Sequence, residues 1–167
     1  SNPAELPDSP ASILSRSRAM ASHAQAVTLL EKALPRSGSL KPWFLLELVI
    51  RTASSDKWKE SLGWAELMDV GSFTEEIADA SVWWKSEALR QNGKPDSSAA
   101  LLLSRLETGK SSEPAVYLAY FRTGSSRSEE VLARFDASFP SIKHTDPGSY
   151  YASRYLAGLC AVREADW

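Results

Sequence analysis

Helical periodicity interrupted at short intervals is the feature that most constrains this chain of 167 residues. Apolar residues recur three and four positions apart along most of its length, and strict alternation of apolar and polar residues is rare. Clusters of Gly, Pro and Ser break the pattern near residues 35–42, 53–56, 71–74, 92–97, 109–114, 123–128 and 140–149. The segments between the breaks are about 12–18 residues long, the length of one arm in an antiparallel helix pair. We therefore predict an all-α fold built from such pairs.

Composition and charge exclude several classes of function. Hydrophobic residues make up 43% of the chain and charged residues 24%, which is typical of globular rather than disordered proteins. The net charge of −2 gives no overall field that would attract nucleic acid or an anionic membrane. The apolar runs 43–46 and 48–50 are separated by Glu47 and are too short to span a bilayer. We expect no nucleic-acid partner, and membrane contact only through a lipid anchor or a partner.

The N-terminal segment differs in composition from the rest. Residues 1–10 contain prolines and acidic residues without helical periodicity, which predicts a flexible, Pro-rich tether. Its first residues fit either the remnant of a tag or the start of a processed mature chain. A tether of this kind suits a protein released from a signal peptide or held by a lipid anchor, so we favour a periplasmic or envelope location over the cytoplasm. Residues 11–167 are then one helical domain of about four pairs, the last one incomplete.

Local signals predict where each helix begins and ends. The predicted helices cover residues 12–21, 26–34, 43–52, 57–68, 75–91, 98–108, 114–122, 126 or 128 to 139, and 149 onward. The predicted N-caps are Ser55 or Asp56, Thr74, and Asp96 or Ser97, since short polar side chains accept hydrogen bonds from free helix amides. Gly93 and Gly109 are predicted helix ends, and residues 142–148 are predicted to form a loop.

Three stretches of the chain resemble tetratricopeptide (TPR) repeats. Residues 26–34, A-V-T-L-L-E-K-A-L, resemble the second helix of such a repeat, and residues 152–167 resemble a first helix and the following turn. In the latter, Gly158 stands where two helices would cross closely, and Asp166-Trp167 stands where the second helix would begin. The stretch E-E-V-L-A-R-F-D-A-S-F-P-S resembles bacterial envelope TPR proteins, such as outer-membrane assembly lipoproteins and periplasmic cell-division coordinators. The resemblance implies antiparallel helix pairs stacked as a right-handed α-solenoid.

The chain lacks the residue combinations that catalysis or metal binding requires. Its two histidines, His23 and His144, are far apart in the sequence, and the single Cys160 lies on the apolar face of a predicted helix. These residues do not form the cluster that a zinc site needs. Two acid pairs stand in first turns of predicted helices, where the helix dipole stabilises them: Glu75-Glu76 and Glu129-Glu130. No phosphate-binding glycine motif occurs, so we expect no enzyme activity, no cofactor and no metal.

Arginines recur near the ends of the predicted first helices. In a stack of pairs, Arg51, Arg90, Arg122 and Arg163 would lie along one edge of the inner groove and bind carboxylates of a partner. Aromatic residues would form the walls of this groove. The predicted partner contacts are Arg51, Arg90, Arg122, Tyr117, Tyr120 and Tyr155. The alternative is that the arginines cap carbonyls and complement helix dipoles.

These observations favour a non-enzymatic scaffold for protein–protein interaction in a bacterial envelope assembly. Its groove would bind a peptide or a helix of a partner. A second hypothesis is a helical regulatory or architectural domain of a larger enzyme, such as one that processes peptidoglycan. A third is self-association through apolar surface at an unfinished end of the stack.

Overall fold

The computed structural model describes residues 9–69, 74–111 and 113–164, with the side chains of residues 163 and 164 excepted. Its α-helices are α1 Pro10–Ala19, α2 His23–Ala33, α3 Lys41–Ser54, α4 Trp58–Glu66, α5 Glu75–Gln91, α6 Pro95–Glu107, α7 Pro114–Arg122, α8 Ser128–Ser138, α9 Ile142–Thr145 and α10 Pro147–Glu164. Two short 3-10 helices, Leu34–Arg36 and Gly38–Leu40, connect α2 to α3. The described ranges contain no strand, which confirms the all-α prediction. No helix within them combines the length and the hydropathy of a bilayer span.

The chain divides into two compact units, and residues 1–73 belong to the first. Here α1 packs on α2, α2 on α3 and α3 on α4, and α1 also contacts α3. These contacts define two helix pairs, α1/α2 and α3/α4. Ile13, Leu30, Phe44 and Leu48 are buried at the centre of the unit. Burial of such side chains, each contributing about 1.5–3 kcal/mol, holds amphipathic helices together that would not be stable alone.

The second unit comprises residues 74–167 and shows the same order of helix contacts. The pairs are α5/α6 and α7/α8, and α10 packs on both α7 and α8. The first helices of successive pairs contact each other: α5 contacts α7, and α7 contacts α10. The second helix α6 also contacts α7. An aromatic cluster of Tyr117, Phe121, Phe135 and Phe139 occupies the core beneath α7 and α8.

Equivalent hydrogen bonds join the two helices of the α3/α4 pair and of the α5/α6 pair. Ser61 in α4 donates to the carbonyl of Val49 at 3.0 Å, and Ser98 in α6 donates to the carbonyl of Ser86 at 2.8 Å. Each bond spans 12 residues, and both serines are buried. A small hydroxyl side chain lets the two helices approach closely and satisfies its own polar group at their contact.

The turns of these two pairs also match. Asp56 and Gly93 adopt left-handed conformations with φ of 58° and 74°, and each ends its helix. The next residue donates its amide to a carbonyl five positions earlier, from Lys57 to Thr52 and from Lys94 to Leu89, both at 2.9 Å. Glycine adopts this conformation without a steric cost and aspartate tolerates it, which explains why Asp56 and Gly93 occur at this position.

Most predicted helices are confirmed, and so is Thr74 at the N-cap position of α5, but the predicted caps of α4 and α6 are not. The N-cap position of α4 is Lys57, and the Asp56 carboxylate accepts a hydrogen bond from Trp58 Nε1 at 2.9 Å instead. Helix α6 begins at Pro95, because proline is favoured at the first helical position, so the predicted caps Asp96 and Ser97 lie within its first turn. Thr74 occupies the N-cap position of α5 without a side-chain hydrogen bond.

The predicted loop over residues 142–148 is wrong. Residues Ile142–Thr145 form α9, and α10 already begins at Pro147. Ile142 is buried, and the Asp146 carboxylate accepts hydrogen bonds from the amide and the hydroxyl of Ser149 at 3.1 and 2.6 Å. These bonds stabilise the start of α10, so the Pro-Gly dipeptide initiates a helix instead of breaking one.

At the N-terminus, the helical part of the chain begins one residue earlier than predicted. Pro10 is the first residue of α1, and the Ser9 hydroxyl caps this helix. Residues 1–8 lie outside the described part of the chain, as do Asp166 and Trp167.

Candidate functional site

Arg51 is buried in unit 1 against the C-terminal end of α1. Its Nη2 donates to the carbonyls of Ser17 and Arg18 at 2.6 and 3.0 Å, and its Nη1 donates to that of Met20 at 2.9 Å. Its Nε donates to the Glu47 carboxylate at 3.1 Å. Only 8% of Arg51 is exposed. Arg51, predicted as a partner contact, is therefore used inside the protein. Its guanidinium binds carbonyls at the C-terminal end of another helix.

Arg90 and Arg122 lie at the ends of α5 and α7, and both act on Glu87. Arg90 binds the Glu87 carboxylate through Nε at 3.2 Å and also through Nη2. Partial burial acts to raise the pKa of Glu87, but the hydrogen bonds and charge of Arg90, with a hydrogen bond from Gln91 and the charge of Arg122, hold that pKa below its ordinary value. Arg122 itself is exposed. The structure thus pairs Arg90 with a carboxylate of its own helix, whereas Arg122 influences this carboxylate only through its charge.

Acidification should weaken unit 2 through Glu87. The pKa of this carboxyl is lowered in the folded chain, so its stabilising effect is complete above its ordinary value of 4.5 and is lost as the pH falls through the folded-state pKa. Compared with wild type, Glu87→Gln should show a shallower loss of stability as the pH falls below 4.5. Urea unfolding at a series of pH values measures this loss. Arg90→Gln should flatten the same region, and parallel curves for all three proteins would contradict the assignment.

Tyr117 and Tyr120, two further predicted contacts, belong to the core of unit 2. Tyr120 is completely buried, and its hydroxyl lies 2.6 Å from that of Ser125. Tyr117 is also buried, with its hydroxyl 3.3 Å from that of Ser138 and its ring 5.4 Å from that of Phe135. Their side chains stabilise the packing of α7 and α8, because each ring is buried and each hydroxyl has a partner.

The remaining predicted contact, Tyr155, lies on an exposed apolar stripe of α10 and is itself 67% exposed. The other large side chains of the stripe are Tyr151, Leu159 and Val162. Gly158 lies beside them, and no heavy atom would come within 4 Å of a Cβ placed there. The close helix crossing predicted at Gly158 is therefore not made by the described residues. The opposite face of α10 is packed, and buried Cys160 lies on it as predicted.

A cleft of about 290 Å³ lies between α5 and the start of α7, within unit 2. Four carboxylates and two indole rings line it, together with small apolar side chains. The polar and aromatic lining residues are Glu75, Glu76, Asp79, Glu113, Trp83 and Trp84. Those on α5 are spaced three and four positions apart, which places them on one face of the helix. The sequence does not predict this cleft, because it indicates Glu75 and Glu76 only as acids in the first turn of a helix.

Two of these carboxylates are neutralised on one side of the cleft. Arg105 in α6 donates from Nε to Asp79 at 2.7 Å and from Nη2 to Glu75 at 3.1 Å. Lys110 lies 3.5 Å from Glu75. The hydrogen bond from Arg105, followed by the charges of Arg105 and Lys110, outweighs the small effect of burial and lowers the pKa of Glu75. This side of the cleft is therefore a closed ion-pair network.

The other two carboxylates leave the cleft acidic. Glu76 and Glu113 are exposed, and neither forms an ion pair with any side chain that the structure describes. The surplus charge is negative. This sign is opposite to the one expected for a groove lined by arginines.

Trp83 and Trp84 form a corner in this cleft. Their ring centroids are 4.8 Å apart and the rings meet at 81°, so that one edge faces the other ring. Both residues are half-buried. The Nε1 atom of Trp83 is buried and has no hydrogen-bond partner among the described residues. Helix α5 is thus covered on one side by its own unit, while part of both indole surfaces remains open.

The lining of the cleft favours contact with cations. Carboxylates and indole faces both attract cations, since the π-face of an indole carries negative charge. Among the described residues, no group of three His, Cys, Asp or Glu side chains is arranged to hold a metal ion. No known protein family, curated protein or solved structure matches this chain at a significant level, so the side chains of the two units are what identifies a candidate site.

Proposed function

We propose that this chain is a non-enzymatic interaction module that binds a segment of a partner protein in the cleft between α5 and α7. The order of helix contacts supports a TPR-like stack in each unit. First helices of successive pairs contact each other, and each second helix contacts the first helix of the next pair. Stacks of this kind bury a continuous core and present the surface of their first helices to partners.

The observation that carries the proposal is the cleft itself, which opens between the first helices of two successive pairs. Val116 on α7 lines the cleft and is buried, so this part of the cleft wall belongs to the packed core. A preformed cleft on packed helices binds without the cost of ordering a loop. Its volume suits one or two side chains of a bound segment, and the rest of that segment would lie along the surface of α5 and α7.

Two of the residues predicted as partner contacts support a wider contact surface. Arg122 and Tyr155 are exposed on first helices, α7 and α10, which contact each other. We propose that a bound segment longer than the cleft extends toward them. The bacterial envelope as the place of this interaction stays a prediction from residues 1–10 and 129–141 of the sequence.

Selection of peptides from a random 12-residue phage-displayed library, followed by titration with the purified peptides, tests this function. Ala80 is exposed and lines the cleft. Ala80→Trp should fill the cleft and weaken binding of the selected peptides by about tenfold or more, equal to about 1.4 kcal/mol. Circular dichroism should show unchanged helix content.

Ala133→Trp provides the matched control, since Ala133 is exposed on α8 and does not line the cleft. This variant should bind the selected peptides as wild type does. If no peptide is selected, or if both tryptophan variants bind equally well, the cleft is not the binding site and the proposal fails.

A further inference from the structure

We infer that the cleft recognises the cationic end of an arginine or lysine side chain, so that the partner segment is a basic peptide. This inference rests on the proposed function, and it adds the chemistry of the ligand. Three properties of the cleft support it: the surplus of negative charge, the geometry of the two indole rings and the small size of the remaining lining residues.

The charges select the sign of the ligand. Glu76 and Glu113 are exposed at the cleft without an ion pair among the described residues, whereas Arg105 and Lys110 are engaged by Glu75 and Asp79. An acidic segment would place like charges beside Glu76 and Glu113. An apolar segment would cover these carboxylates without providing a partner, which is costly. A cation forms favourable pairs with both and is the ligand that this charge pattern complements.

The indole rings select the shape of the ligand. Trp83 and Trp84 both line the cleft and meet at 81° with centroids 4.8 Å apart, so a group entering the corner contacts both indole rings. Indole is the aromatic side chain that binds cations best, and a planar guanidinium stacks on its face. The aliphatic stem of an arginine or a lysine would then pack on the small residues Ala80 and Ala115.

A titration with a minimal ligand tests the inference on the intact protein. The probes are N-acetylarginine amide and N-acetylcitrulline amide, which have nearly the same shape and differ in charge. Nuclear magnetic resonance of the indole N–H groups follows binding, with the signals assigned from Trp83→Phe and Trp84→Phe. The arginine probe should shift both signals saturably at concentrations on the order of millimolar, and the citrulline probe should leave them in place at the same concentrations.

Charge removal tests the role of the two exposed carboxylates. The double variant Glu76→Gln with Glu113→Gln should weaken binding of the arginine probe by about threefold to tenfold. Glu129→Gln is the matched control, because Glu129 is the second residue of α8 as Glu76 is of α5, and it does not line the cleft. This control should bind the probe as wild type does.

The outcomes separate this inference from the proposed function. Equal shifts by both probes, or shifts by neither, would overturn recognition of a cation. If selected peptides bind in the cleft but need neither arginine nor lysine, the proposed function stands and the inference fails. If no selected peptide depends on the cleft, the proposed function itself fails.

Discussion

Replacement of Arg51 by alanine should lower the free energy of unfolding of unit 1 by about 3–5 kcal/mol. The side chain satisfies three carbonyls at the end of α1 and pairs with the buried carboxylate of Glu47. Its removal takes a charged donor away from all of these groups and leaves Glu47, among the described residues, with only its pair to Arg18 at 3.5 Å, and burial makes that cost large. Hydrogen exchange of the backbone amides in α3, measured on the intact chain, reports the loss in this unit.

Arg90→Ala serves as the control for this prediction. Arg90 also stands near the end of a first helix and pairs with a glutamate on the same helix, but its side chain is 34% exposed and Glu87 is its ion-pair partner among the described residues. We expect a loss of about 1 kcal/mol or less in unit 2. If the two alanine variants lose the same stability, capping of α1 is not what makes Arg51 important.

Phe135→Ala should lower the free energy of unfolding of unit 2 by about 3–5 kcal/mol. Phe135 is completely buried on α8, and its ring contacts those of Tyr117, Phe121 and Phe139 at centroid distances of 5.4, 6.4 and 5.2 Å. Truncation removes the apolar contact area and leaves a cavity among rings that cannot all move inward. Exchange of the backbone amides of α7 measures the effect.

Leu159→Ala provides the comparison in the same unit. Leu159 lies on the exposed stripe of α10, and its truncation should change stability by no more than about 0.5 kcal/mol. A loss near that of Phe135→Ala would show that the exposed face of α10 is covered in solution. A loss below about 1 kcal/mol for Phe135→Ala would contradict its place at the centre of the core.

Helix positions could be predicted from the sequence where the signal is local. Pro114 at a helix start and Gly93 just after a helix end act through their own backbone angles, and both predictions are confirmed. The segment 142–148 could not be assigned this way. Pro147 and Gly148 are typical of turns, and only the hydrogen bonds of Asp146 and the burial of Ile142 make the segment helical.

The candidate site was less predictable, since its residues depend on which helix faces are covered. The arginines near helix ends were identified correctly as a pattern, but Arg51 finds carbonyls 31 to 34 residues earlier in the chain, a distance that no local pattern encodes. The same holds for the cleft. The sequence places Glu76 and Trp83 on one face of a helix, yet only the packing of α7 beside α5 makes that face the wall of a cleft.

The order of helix contacts has a consequence for how this polypeptide acquires its structure. In either unit, the principal contacts join helices that are neighbours along the chain or belong to adjacent pairs. Closing such short loops costs little entropy, and chains dominated by local contacts fold in microseconds to milliseconds. The first unit can therefore assemble soon after its two pairs have left the ribosome, because its core is shared between them.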